Sequence, residues 1–301
     1  MTKPEPTTRE AILAAIDDLP PFPPVAARLL ELLDDPDSSA ADIARAISRD
    51  QALAAKVLRI GNSSFYGFAQ QVTSLPQAVV VLGLRTVRDL VLLDSLPLRS
   101  RGKSMTAIEK ELWVHSVGAA FAARFLAMRG SWIDSDAAFL CGLFHDVGQL
   151  LLNQLAPQAY GRARQQMSLG LSTVEAEMQT FGIAHTEVGA EAFVRWELPG
   201  PAGQVALQHH EDPAGLDALT RVIRAADDFM HWQATLLSSL VGDGQGAAAE
   251  EEMMAVDDAY LPNRPGSAGQ LLGLTDEDLT DLTARLKVAL EKETRFFLSA
   301  A

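Results

Sequence analysis

Helix-starting side-chain pairs recur along these 301 residues, and almost nothing alternates as a strand must. Ser39 and Asp42, Thr106 and Glu109, and Ser172 and Glu175 each set a hydroxyl three residues before a carboxylate. In such a pair the hydroxyl accepts from the third helical amide, and the carboxylate accepts from the amide of the cap residue. Ser74-Leu-Pro-Gln77 places a proline in a first turn, where its missing N–H costs little. Val25, Leu29, Leu30 and Leu33, and then Leu53, Val57, Leu58 and Ile60, follow the helical period. The single Asp-Gly dipeptide, Asp243-Gly244, has no strand-like run beside it. The chain is therefore expected to be all-α. Helices are expected over 8–17, 22–34, 39–48, 51–62, 75–83, 85–94, 106–128, 135–152, 172–181, 185–196, 201–210, 217–240 and 276–298.

Chemistry is distributed unevenly along this helical chain. All six histidines lie between His115 and His231, and residues 1–100 contain none. The basic, polar stretch Leu96–Met105 reads as a joint, and Gly242–Glu252 reads as a loop. Three parts are expected: an N-terminal helical lobe over 1–104, a histidine-bearing lobe over 105–240, and a loop with a returning helix over 241–301. Leu279, Leu282, Leu286 and Leu290 supply the apolar stripe of that last helix.

The net charge of −14 sets 39 acidic against 25 basic side chains and repels phosphate backbones and anionic membranes. The helices over 39–48 and 51–62 carry Arg45, Arg49, Lys56 and Arg59. However, they lack the glycine-containing turn of a helix-turn-helix, and Asp34, Asp35, Asp37 and Asp42 stand close by. A nucleic-acid partner is not expected. The start, MTKPEPTTRE, has no apolar signal-peptide core, and no run approaches the roughly 20 apolar residues of a membrane span. A single cysteine, Cys141, fits a reducing compartment. A cytoplasmic protein without membrane partners is expected, with Cys141 a small buried residue rather than a ligand.

His145 and Asp146 are adjacent, and neighbours on a helix point about 100° apart, so both can reach an ion seated beside the helix. His115 has Leu112 and Ala119 on its flank and is expected to face inward, while Asp227 lies on a later helix. His115, His145, Asp146 and Asp227 could enclose one ion. His185, His209 and His210 could add a second. Imidazole with carboxylate suits Fe, Mn, Zn or Ni, and two such ions side by side can clamp a phosphate ester. His231, four residues after Asp227, could face the same cavity, but is read first as a surface or satisfied core residue.

Several segments together resemble a known family. In the first lobe they are Leu19-Pro-Pro-Phe-Pro-Pro, Ile43-Ala-Arg-Ala-Ile-Ser-Arg-Asp50, Ala52 through Gly67 (ALAAKVLRIGNSSFYG) and Leu75-Pro-Gln-Ala-Val-Val-Val-Leu-Gly83. In the second they are Leu112-Trp-Val-His-Ser116, Gly142-Leu-Phe-His-Asp-Val-Gly148, His185-Thr-Glu-Val-Gly189 and His209-His-Glu211. This pattern resembles the HDOD family, HD-related output domains of bacterial signalling, over residues 15 to 235. The resemblance implies an HD-like helical bundle packed against an N-terminal helical lobe. It also implies metal ligands at His115, His145, Asp146 and Asp227, with a second set at His185, His209 and His210.

The resemblance further implies a signalling output or scaffold module acting through protein contacts, with a nucleotide ligand or metal-dependent phosphohydrolysis as alternatives. Two departures from the related cyclic-dinucleotide phosphodiesterases point away from catalysis. Gln149 stands where those enzymes have a lysine, and their Gly-Tyr-Pro segment is absent after Glu211. No receiver or kinase segment precedes the first lobe, so input is expected from another chain or a small molecule. Within the first lobe, Gly61-Asn62 reads either as part of a binding loop or as a helix C-terminus using left-handed backbone.

Overall fold

The expected caps form where the sequence writes them. The structure is a computed structural model, and it describes residues 5–35, 37–62, 71–97, 105–129, 133–198, 200–232 and 284. Its α-helices, in chain order, are α1 (Arg9–Asp17), α2 (Pro24–Asp34), α3 (Ala40–Ile47), α4 (Gln51–Gly61), α5 (Leu75–Leu82), α6 (Leu84–Asp94), α7 (Ala107–Arg129), α8 (Ser135–Phe144), α9 (Val147–Leu155), α10 (Pro157–Ser168), α11 (Thr173–Phe181), α12 (His185–Arg195), α13 (Ala202–Gln208) and α14 (Ala218–Trp232). No strand occurs among the described residues. Both hydrogen bonds of the capping box are present at Ser39–Asp42 and at Ser172–Glu175. Thr106 and Glu109 make the same reciprocal pair. Apart from Ala284, which is helical, the helix expected over 276–298 lies outside the described residues, as does the end of the one expected over 217–240.

The described residues fall in two compact units, one within Pro20–Leu96 and one within Met1–Leu19 and Pro97–Thr294. In the first, α2 to α6 close over Leu29, Ile43, Ile47, Val57, Val79 and Leu90, all buried. Gly83 joins α5 to α6 at φ 78, a conformation that only glycine adopts without strain. Neither Gly61 nor Asn62 is left-handed: Gly61 ends α4 in helical geometry, and Asn62 sits at φ −94. Asn62 instead works through its side chain, donating to Leu58 O and Val72 O and accepting from Val72 N. Those bonds tie the end of α4 to Val72, just before α5, so the left-handed expectation is replaced by a side-chain clamp.

In the second unit the expected single helix over 135–152 is two. α8 ends at Phe144 and α9 starts at Val147, so His145 and Asp146 occupy the corner between them. Asp146 has φ −102 and ψ 17, the sparsely allowed bridge region where active-site residues are often found. Its side chain makes no capping bond to α9 and is free for the interior.

The sequence pattern did not predict α10, because it has Gly161 in mid-helix and its buried face is Ala159, Tyr160 and Ala163 rather than large aliphatic residues. Its N-terminus is held instead by Glu5, whose two carboxylate oxygens accept from Gln158 N and Ala159 N at 3.1 and 3.0 Å. α1 belongs to this unit as well. Arg9 pairs with Glu187 on α12 at 2.6 Å, and Arg195 donates to Asp17 O.

Glycines set how closely the helices of this unit approach. A Cβ on Gly148 would lie 2.0 Å from His185 O and 2.9 Å from Gly189 N, so α9 and α12 meet backbone to backbone. A Cβ on Gly142 would lie 2.8 Å from Ala119 O, which draws α8 against α7. Replacing Gly148 by alanine must push two backbones apart, and we expect destabilisation of about 3 kcal/mol in denaturant unfolding. Gly161 is the control: a Cβ there meets nothing within 4 Å. Gly161→Ala should stabilise the protein by about 0.5–1 kcal/mol in the same measurement.

Candidate metal centre

α7, the α8–α9 corner and α14 bring the first predicted donor set together. His115 Nε2 lies 3.3 Å from His145 Nε2, 3.5 Å from Asp146 Oδ2 and 3.1 Å from Asp227 Oδ1. His145 Nε2 lies 3.4 Å from Asp146 Oδ2 and 3.5 Å from Asp227 Oδ1. Donors about 2.0–2.1 Å from one tetrahedral ion stand roughly 3.3 Å apart. These five edges therefore have the size of a coordination shell. Asp146 and His145 are buried, and the His115 side chain keeps 17% exposure.

The second set assembles on the other oxygen of the same aspartate. His185 Nε2 and His209 Nε2 lie 3.1 and 3.3 Å from Asp146 Oδ1 and 3.4 Å from each other. His210 joins them from an exposed position, its ring 4.2 Å from that of His209 and 5.1 Å from that of His185. Both sets satisfy the spacing for a held cation. All seven residues expected from the sequence thus converge, and Asp146 belongs to both groups.

The polar accounting fits an ion as well. Asp146 Oδ1 and Asp227 Oδ1 are buried and have no hydrogen-bond partner, although imidazole nitrogens stand around them. Buried acceptors are normally satisfied, so these two atoms, with imidazole nitrogens 2.9 to 3.5 Å away, suit a cation between them. The imidazoles are prepared for one. His145 Nδ1 donates to Gly142 O at 2.8 Å, and His209 Nδ1 donates to Ala206 O at 2.9 Å. A carbonyl only accepts, so in the neutral ring Nε2 carries the lone pair and faces the cavity.

His185 is oriented by Glu177, a residue the sequence reading missed. A single Glu177 oxygen accepts from His185 N at 2.7 Å and from His185 Nδ1 at 2.6 Å. Glu177 is wholly buried and sits eight residues before His185, on the face of α11 that also carries Ala176 and Phe181. An acidic residue on an apolar helix face was the available signal. His231 is a surface residue with a carboxylate partner. Its Nδ1 lies 2.9 Å from Asp227 Oδ1, and its ring lies edge-on to His115 at 4.8 Å. With 55% side-chain exposure it forms part of the rim of the cavity. Cys141 is buried and outside both sets, and burial pushes its thiol up to about 12.

Electrostatics tie protons to these donors when no cation is bound. Burial alone would lower His145, but the carboxylates of Asp146 and Asp227 outweigh it and hold the imidazole well above its usual range. His185 behaves likewise: burial opposes the charge, Glu177 and Asp146 favour it, and the group rises to about 10. Burial would raise Asp146, but the His145 and His185 imidazoles hold it well below the carboxylate range. Burial lowers His209.

A cation must displace the protons on His145 and His185. Metal binding should therefore release protons, and apparent affinity should rise with pH up to about 10, where His185 gives up its proton unaided. Calorimetry in buffers of different ionisation enthalpy reads this directly, and an observed heat independent of buffer contradicts it. Glu177→Gln, which removes the charge behind His185, should weaken metal binding by about 10–100-fold, measured by competition with a chromogenic chelator.

The sequence and fold have known counterparts. The family model of the HDOD domain matches residues 19–212. An uncharacterized protein of Treponema pallidum is 27% identical over 213 residues, which are 67% of this chain and 40% of that protein. The chain therefore spans well under half the length of that relative. A crystal structure from Shewanella amazonensis, of a protein provisionally named a phosphohydrolase, superposes with a TM-score of 0.66 at 22% identity over 96% of this chain and 98% of that one. A protein from Marinobacter aquaeolei, provisionally named for signal transduction, gives 0.67 at 22% identity over 100% of this chain and 61% of that one. At these identities the likeness is one of fold. No helix among the described residues is long and apolar enough to cross a membrane.

Proposed function

The chain belongs to the HDOD family, and from that premise we propose that it is a signal-transduction output module whose histidine-bearing unit holds a pair of divalent metal ions. One observation carries the metal reading: Asp146 presents one oxygen to His115 and His145 and the other to His185 and His209. A carboxylate in that position suits two ions better than one. His115, His145 and Asp227 would complete the first site, and His185, His209 and His210 the second. Imidazole and carboxylate donors favour Fe, Mn, Zn or Ni over hard cations such as Mg.

Output then passes through protein contacts. In the unit within Pro20–Leu96, Val80 and Leu84 are exposed at 72% and 45%, which suits a docking face for a signalling partner. The sequence signature of the family is also densest there. The lone, buried Cys141 suits a cytoplasmic setting.

A metal-dependent phosphohydrolase, acting on a nucleotide or cyclic dinucleotide, is the second reading. The exposure of His115, His210 and His231, taken together as a rim, favours it, because a ligand could reach the donors past them. When bound, such a metal pair supplies Lewis acidity and an activated water. The chain's own residues give that chemistry little help: Gln149 is neutral and already hydrogen-bonded to Asp146 at 2.7 Å, so it offers no cation to a phosphate. A nucleotide bound and not cleaved is compatible with the same rim.

Elemental analysis after anaerobic purification should find about two divalent ions per chain, and His145→Ala and Asp146→Ala should each abolish that content. The metal-loaded protein should leave a panel of cyclic dinucleotides and nucleotides intact by chromatography. Enzyme-like turnover that disappears in both variants would replace the output-module reading with the hydrolase.

A further inference from the structure

Resting on the metal-pair reading, we propose that Gln149, itself held by Tyr160, is a positioning residue. It sets the plane of the Asp146 carboxylate so that each oxygen serves a different donor set. The outer torsion of an aspartate is soft and close to two-fold. Nothing in its own backbone decides which oxygen faces which histidines. Asp146 also makes no capping bond to α9, so local helix geometry does not orient it.

Gln149 supplies what is missing. It lies one turn along α9, and its Nε2 donates to Asp146 Oδ2 at 2.7 Å. An ionised carboxylate only accepts, so the amide must present its NH2 to Asp146 and its oxygen to the other side. On that side the Tyr160 hydroxyl donates to Gln149 Oε1 at 2.7 Å. Tyr160 is wholly buried and Gln149 nearly so, and each polar atom in the relay then has one workable role. Asp146 Oδ1 has no hydrogen bond and faces His185 and His209. The Gln149 bond is therefore what distinguishes the two oxygens.

An amide donates this hydrogen bond without adding a charge beside the shared carboxylate. Tyr160 comes from α10, whose N-terminus is held by Glu5. The relay thus reaches from the edge of the unit to the shared carboxylate.

Manganese(II) titration followed by electron paramagnetic resonance tests the assignment on the full chain. The wild type should take up two ions and give the exchange-coupled spectrum of a bridged pair. Gln149→Met and Tyr160→Phe should weaken the second ion by about 10–100-fold and replace the coupled spectrum with that of isolated ions. Thermal unfolding of the metal-free variants runs alongside, because Gln149→Met leaves the Tyr160 hydroxyl unpaired. A purely structural role would lower that unfolding temperature and leave stoichiometry and coupling unchanged. Two coupled ions with wild-type affinity in both Gln149→Met and Tyr160→Phe overturns the positioning role and leaves the metal pair standing. A wild type that takes up no manganese, iron or zinc overturns the metal reading, and this inference falls with it.

Discussion

A single buried carboxylate organises this molecule. Asp146 stands at the corner between α8 and α9, and four imidazole nitrogens lie within 3.1 to 3.5 Å of its oxygens. Burying a charge is costly unless it is paired, so every element that brings an imidazole to Asp146 also stabilises it. The backbone break at His145–Asp146 makes this possible. In a continuous helix, the Asp146 carbonyl and amide would be fixed by the ladder and its side chain by the helical rotamers. At the corner, the residue adopts the bridge conformation and turns into the interior.

The surrounding helices are arranged so that the donors can meet. Gly142 lets α8 lie against α7, which brings His145 to His115. Gly148 lets α9 lie against the first turn of α12, which brings His185 to Asp146. Both contacts are too close for any side chain, so these glycines serve the site through packing density rather than through unusual backbone angles. Around them a second layer of acceptors, Gly142 O, Ala206 O and Glu177, fixes the imidazole rings. A ring fixed at Nδ1 presents Nε2 without further loss of side-chain entropy, which is what gives a donor set its affinity.

Much of this was legible in the sequence. Hydroxyl–carboxylate pairs three residues apart marked helix starts that the structure reproduces, because capping is a local interaction decided within one turn. The seven histidine and aspartate positions were legible too, from residue type and from resemblance to the HDOD family. Less visible were the features that depend on distant residues. α10 buries Ala159, Tyr160 and Ala163 rather than a stripe of large aliphatic residues, and its N-terminus is satisfied by Glu5, far away in sequence. Glu177 finds its partner on the next helix, which no spacing within α11 announces, and it is fully buried behind His185. His231 lies at the expected helical spacing from Asp227, but spacing alone could not show that its ring would sit against His115.

The sequence by itself determined the all-α character, the helix starts and the inventory of metal-type donors, because each depends on residue type and short-range spacing. Only the tertiary structure decided that the donors form two groups joined at Asp146, that the His-Asp pair sits at a helix break, and that Gln149 and Tyr160 stand behind the shared carboxylate. Those outcomes depend on helix-to-helix distances of a few ångströms. Such distances are set by where glycines permit backbone contact and by how buried polar atoms find partners, and neither is written in any one stretch of the chain.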